Sequence, residues 1–233
     1  MDYRVIQPNA EIRACARQQL KGVWGEMAFT FFIYFLILSP PNIVSTLNQL
    51  HDQFPMVPSF PVIEFVLSVA VFLATGPFEL GFAGYFLRRL RGEEIDLSNI
   101  FEGFYRFWRS FLLMFLTSLF IALWAILLIV PGIVKSLGYS MAFYIMRDNP
   151  ETRPMEALDK SQAMMKGYKW KFFLLNLSFI GWILLALLTF GIGFLWLYPY
   201  INLSMANFYE NLKQHQENPP TTAFEYTGNQ VVE

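Results

Sequence analysis

Residues 111–130 read FLLMFLTSLFIALWAILLIV, twenty in a row without one charged side chain. As a helix rising 1.5 Å per residue, that stretch covers about 30 Å, the thickness of a bilayer's hydrocarbon core. It reads as a membrane span, and the rest of the chain is best understood by working outward from it.

Composition agrees. Of 233 residues, 55% are hydrophobic and only 15% are charged, with a mean hydropathy of +0.38. An ordinary soluble domain carries about 25% charged residues. With so few, this chain cannot cover its surface for water, so lipid must cover part of it. The net charge of −1 gives no reason to expect nucleic acid as a partner. A lone cysteine, Cys15, excludes an intrachain disulfide and any cysteine-rich metal site.

Five more segments flank the first. On the N-terminal side they cover about 23–47, which includes Pro40-Pro41, and 62–87. On the C-terminal side they cover 133–146 after a break at Pro131-Gly132, 172–190, and 194–212 after Gly191-Ile192-Gly193. The first reads as a retained span rather than a cleaved leader, because it ends at Ser39-Pro40-Pro41 without a small-residue cleavage site. The segment 133–146 is short, since fourteen residues make only about 21 Å of helix. Charge placement argues that it crosses nonetheless. With six spans and the N-terminus inside, sixteen of the seventeen Lys and Arg residues fall on one side, all except Lys135, and the outer loop 48–61 holds none. That is the asymmetry of the positive-inside rule.

A local pattern recurs before each odd-numbered span. Lys21-Gly22-Val23-Trp24, Glu102-Gly103-Phe104-Tyr105-Arg106-Phe107-Trp108-Arg109 and Lys166-Gly167-Tyr168-Lys169-Trp170-Lys171 all place a glycine ahead of mixed aromatic and basic residues. Trp and Tyr rings favour the headgroup region, and Lys and Arg meet anionic lipid there. Short helical segments precede each, such as 11–20 and the stretch from Pro154. Ser140-Met141-Ala142-Phe143-Tyr144 and Ser204-Met205-Ala206-Asn207-Phe208-Tyr209 echo each other in spans four and six. The expected fold is therefore an all-α membrane protein of six transmembrane helices in three hairpins. A short interfacial amphipathic helix precedes each hairpin, and both termini are cytoplasmic. Residues 1–213 form one membrane domain, and 214–233, with Pro219-Pro220, form a disordered cytoplasmic tail.

Several stretches resemble a known family. They are Ala16-Arg17-Gln18-Gln19-Leu20-Lys21-Gly22-Val23-Trp24, Phe101-Glu102-Gly103-Phe104, Ile129-Val130-Pro131-Gly132-Ile133 and Tyr139-Ser140-Met141. To these add Ser161-Gln162-Ala163-Met164-Met165-Lys166-Gly167, Leu177-Ser178-Phe179-Ile180-Gly181-Trp182 and Pro199-Tyr200. Over about residues 10–212 the chain is similar to the bacterial integral membrane family called domain of unknown function 975. It is more distantly similar to the membrane-anchor region of some glycerophosphodiester phosphodiesterases, whose soluble domain has no counterpart here. The resemblance implies a multi-pass protein of the bacterial cytoplasmic membrane, with no activity to carry over.

An ionisable side chain at membrane depth costs at least about 2.5–3.5 kcal/mol on insertion scales, so each one is a candidate site. Glu79, in Thr75-Gly76-Pro77-Phe78-Glu79-Leu80-Gly81, lies about 13 Å inside Arg88 at helical rise. Beside a proline that frees a carbonyl and kinks the second span, it could hold a cation or proton in a carrier. The weightier expectation is structural, with Glu79 paired to Arg106 or Arg109 or bonded to a tyrosine, because buried charges are usually paired. Glu64 and Lys135 are placed near the outer face, where the expectation is a salt bridge between them and the lesser alternative a contact with a substrate. Asn176, Asn202 and Asn207 should bond between helices. His51 and His215 fall on opposite sides of the membrane, and no serine–histidine–acid set, paired carboxylates or phosphate loop is visible. The expectation is a non-catalytic protein without cofactor or metal that lies among anionic lipid headgroups. It would be an accessory or scaffold component with a membrane-protein partner, and the alternative is a transporter of a small solute, ion or lipid through Glu79.

Overall fold

A computed structural model of the protein describes residues 6–217. Among them every regular element is helical: α1 (Asn9–Leu20), α2 (Trp24–Leu38), α3 (Pro40–Gln53), α4 (Pro61–Leu90), a 3₁₀ helix (Leu97–Arg106), α5 (Phe107–Leu127), α6 (Ile129–Tyr139), α7 (Ala142–Asp148), α8 (Pro154–Met164), α9 (Lys169–Leu177), α10 (Ile180–Leu188) and α11 (Phe194–Glu217). Helix is the solution expected in hydrocarbon, where each segment must satisfy its own backbone polar groups. Four segments are long and apolar enough to cross a membrane: Pro61–Leu90, Leu97–Leu127, Ile129–Asp148 and Lys169–Leu188. A fifth is added if α1 and α2, bent by 93° at their junction, count as one.

Prolines set several boundaries away from where the sequence pattern put them. The first span does not run to residue 47. It ends at Leu38, and α3 begins with Pro40 and Pro41 in its first turn, where no N–H is required. Half of the expected outer loop 48–61 is therefore helix. The break expected at Pro131-Gly132 falls at Leu128, which is extended at φ −159° and ψ 134°. Pro131 cannot donate to the Leu127 carbonyl and its ring would clash there, so the chain turns before the proline, which then sits within the first turn of α6. The fourth segment consequently gains residues and reaches twenty, about 30 Å at helical rise. Helix α11 continues to Glu217, through the start of the expected tail. The remainder of that tail, and Arg4 of the basic set, lie outside the described residues.

Two of the three lead-ins share one backbone device. Gly22 and Gly167 both have φ 85°, the left-handed region that only glycine enters without penalty. Each ends a short helix and lets the next begin two residues later. Gly103 differs, lying inside the 3₁₀ helix against α4. The two echoed motifs also meet, as Tyr144 and Tyr209 stack at 5.3 Å with rings 20° apart.

The core lies between the even-numbered segments. Helix α4 is buried almost continuously from Gly76 to Leu87, α7 at Ala142 and Tyr144–Met146, and α11 at ten positions between Leu197 and Leu212. Helices α2, α5, α9 and α10 bury only a few residues each and turn large apolar side chains outward. Phe65, Leu127, Trp170 and Leu188 are all at least two-thirds exposed, an apolar belt that a water-soluble monomer does not carry.

Ion pairs gather one end. Asp148 accepts from Arg91 at 2.9 Å, Lys213 at 2.7 Å and the Tyr209 hydroxyl at 3.1 Å, while Arg91 also reaches Glu210 at 3.1 Å. Glu102 accepts from Arg88 and from Arg147, each at 2.5 Å. Gln19 of α1 and Asn207 of α11 exchange amide hydrogen bonds. The ends of α4, α7 and α11, the 3₁₀ helix and α1 thus share one face. The hydrogen bond to Asp148 holds the Arg91 guanidinium above its ordinary pKa, so it stays a cation throughout.

Candidate functional site

Helix α4 has two faces with different work. Pro77, Gly81 and Gly84 lie one turn apart on one of them. A Cβ on Gly81 would overlap the Ile100 carbonyl, and one on Gly103 would overlap the Pro77 carbonyl. The 3₁₀ helix therefore sits backbone to backbone against α4, as small residues permit in membrane bundles. The glycines and proline around Glu79 make this seam. Helix α4 runs unbroken through Pro77, and Gly103 packs directly on the Pro77 carbonyl.

Glu79 is two residues, hence about 200°, from Pro77 and points to the other side. There it meets an aromatic group drawn from α2, α4 and α11. Tyr34 lies 5.5 Å from Phe78 and 4.7 Å from Phe82, both edge-on, while Tyr198 lies 5.8 Å from Phe82 and 3.9 Å from Phe31. Phe82 lies three residues from Glu79, so Tyr34 and Tyr198 pack on the same stretch of α4. No hydrogen-bond donor or cation among the described residues reaches the carboxylate. The residue is only partly buried.

The expected arginine partners are engaged elsewhere. Arg109 donates to the Pro150 carbonyl at 2.6 Å and to Glu151 at 3.3 Å, and Arg106 lies 4.0 Å from Glu151. The expected tyrosine hydrogen bond is not made either, although Tyr34 and Tyr198 pack nearby on Phe82.

Glu64 and Lys135 do not pair. Glu64 accepts from Asn48 at 2.5 Å, and Asn48 also accepts from the Phe60 N–H at 2.6 Å, so this carboxylate fastens α3 to the start of α4. Lys135 donates to Gln162 of α8 at 2.9 Å and lies over the Trp124 ring at 5.2 Å. Its long stem carries the ammonium toward α8, away from the outer turn where the sequence pattern had put it. Of the three asparagines, only Asn207 bonds to another helix. Asn176 and Asn202 donate to carbonyls one turn back in their own.

One polar residue escaped the sequence reading. Between α6 and α7 the helix is interrupted at Ser140-Met141, and the fully buried Ser161 of α8 repairs it. Its hydroxyl accepts from the Met141 N–H at 3.1 Å and donates to the Gly138 carbonyl at 2.7 Å. A serine beside a glutamine in the stretch most like the family was the available signal, though its target could not be read from the chain.

Compared with known proteins, a family model described as a protein of unknown function (DUF975) matches residues 1–137 and 126–216. No curated protein and no solved structure matches the chain.

Proposed function

Since the chain belongs to the DUF975 family, whose description assigns no activity, we propose from the geometry that it is a non-catalytic, six-crossing membrane carrier in which Glu79 takes up a proton or a small cation. The observation that carries this reading is the carboxylate without a partner. An ionisable group at membrane depth is costly, and a bound proton or cation offsets that cost where no arginine does. Tyr34 and Tyr198, packed on Phe82 one turn along α4, offer polar hydroxyls on the same stretch of helix.

The six crossings are α1–α2, α4, the 3₁₀ helix with α5, α6–α7, α9–α10 and α11. The gathering of Arg88, Arg91, Arg147 and Lys213 at one end supports a single cation-rich face, which the positive-inside rule assigns to the cytoplasm together with both termini. Helix α11 has 24 residues, about 36 Å at helical rise and enough to cross.

The test is flux. In proteoliposomes with a trapped pH indicator, wild-type protein should dissipate an imposed proton or cation gradient. Glu79→Gln should abolish that flux while leaving the amount of folded protein unchanged. If wild-type vesicles hold the gradient, and the substitution changes only the unfolding temperature, the carrier reading fails.

A second reading is an accessory or scaffold component of a membrane assembly. It draws on the close seam at Gly81 and Gly103, which packs the proline segment of α4 as an unbroken helix where a cation carrier would be expected to use a broken one. Crosslinking in the native membrane should then capture a stoichiometric protein partner.

A further inference from the structure

The α10–α11 hairpin and the elbow between α1 and α2 enclose a cavity of ≈ 390 Å³, separate from Glu79. That volume is within the range of about 300–1,000 Å³ typical of small-molecule sites. Its walls differ along its length. Trp182, Leu185 and Trp196 form an apolar part and are each about half exposed, so the cavity opens sideways to whatever surrounds the bundle. Arg17, Trp24 and Tyr200 form the other part. The 93° bend between α1 and α2 brings Arg17 over the cavity, close to the start of α2. Arg13 lies one turn before Arg17 on α1, so the two guanidiniums leave the same face of that helix. The Arg13 Nε is buried with no hydrogen-bond partner among the described residues.

We propose that this cavity binds one anionic phospholipid from the surrounding bilayer. Its phosphate sits at Arg17 with Arg13 behind it, and an acyl chain lies against Trp182, Leu185 and Trp196. Charge complementarity selects this occupant. An apolar slot open to hydrocarbon, ending at paired guanidiniums at headgroup level, matches an acyl chain joined to a phosphate and leaves a neutral headgroup without its main contact. The inference depends on the chain lying in a membrane and is independent of the Glu79 carrier reading.

Native mass spectrometry of the delipidated full-length protein, titrated with phosphatidylglycerol or phosphatidylcholine, tests it. Wild-type protein should retain one phosphatidylglycerol in preference to phosphatidylcholine. Arg17→Gln should lower that preference about fivefold, the weight of one cation near anionic lipid. Leu185→Trp, which fills the apolar part and leaves both arginines alone, should weaken both lipids, so the result does not hang on one variant folding. Equal retention of the two lipids by wild-type protein would overturn the proposal, as would an unchanged preference in Arg17→Gln. A photocrosslinker at Leu185 that captures a polypeptide rather than lipid would overturn it too.

Discussion

Replacing Ser161 by alanine removes one oxygen atom and leaves two backbone groups without their only identified partner. The hydroxyl is fully buried and bridges the Met141 N–H and the Gly138 carbonyl across the α6–α7 interruption. Each polar group stranded in a buried place costs about 1–3 kcal/mol. A water drawn into the gap would recover part of this, so the expected loss is about 2–4 kcal/mol. For a chain of this length that corresponds to about 5–15 °C in the unfolding temperature. Ser110 provides the matched comparison. It is equally buried, but its hydroxyl donates to carbonyls of its own helix entry, Arg106 at 3.1 Å and Phe107 at 3.0 Å. Ser110→Ala should cost about 1 kcal/mol or less, because only a surplus bond is lost. Thermal unfolding of both variants in mild detergent gives the difference, and hydrogen exchange at the Met141 amide should speed up only in Ser161→Ala. If Ser161→Ala unfolds no earlier than Ser110→Ala, the hydroxyl is not what holds the break together.

Gly103→Ala drives a Cβ into the Pro77 carbonyl, where neither backbone can yield, and should destabilise the fold by about 3 kcal/mol or more in the same assay. Gly25→Ala meets nothing within 4 Å and should be neutral or stabilising by up to about 1 kcal/mol. Topology is checked with single cysteines in a Cys15→Ser background and a membrane-impermeant maleimide. Met56→Cys and Ile192→Cys should label in intact cells, whereas Glu93→Cys and Gln214→Cys should label only after permeabilisation. Labelling of Gln214→Cys in intact cells would show that α11 does not cross.

What the sequence made legible was whatever depends on solvent and on the local backbone. The uncharged run 111–130 announces lipid without knowledge of any contact. Gly22 and Gly167 announce turns because only glycine adopts φ 85° cheaply, and both turn as the repeated pattern implies. Proline boundaries were legible in kind but displaced in position: Pro131 acts on the carbonyl four residues back, so the break precedes it at Leu128. Pairings across helices were not legible. The expectation that Glu79 meets Arg106 or Arg109 assumed that those side chains fold inward, whereas both turn to Glu151. The expected Glu64–Lys135 bridge failed for the same reason, since each found a closer amide, Asn48 and Gln162. Side chains of similar chemistry compete for one partner, and only packing decides between them.

Helix α11 is long but less apolar than the outer helices, for a reason that packing supplies. Hydropathy measures how well a helix suits lipid, but α11 is buried at ten positions and faces mostly protein. Its Ser204 bonds to the Tyr200 carbonyl and its Asn207 to Gln19, so polar atoms there carry no penalty in lipid. The outer helices obey the opposite constraint. Thr117 in α5, Asn176 in α9 and Ser178 after it turn back to their own backbone, whereas Thr30 sits inward beside the Tyr85 hydroxyl and the charged Arg109 and Lys171 near the helix starts reach other segments. Polar groups that reach another element from a crossing segment therefore belong chiefly to the even-numbered ones, and Glu79 sits among these on α4. On an outer helix its carboxylate would have only lipid or its own backbone to meet. On α4 it lies instead along the stretch where Tyr34 and Tyr198 pack on Phe82, so that protein side chains from α2 and α11 share its surroundings with lipid.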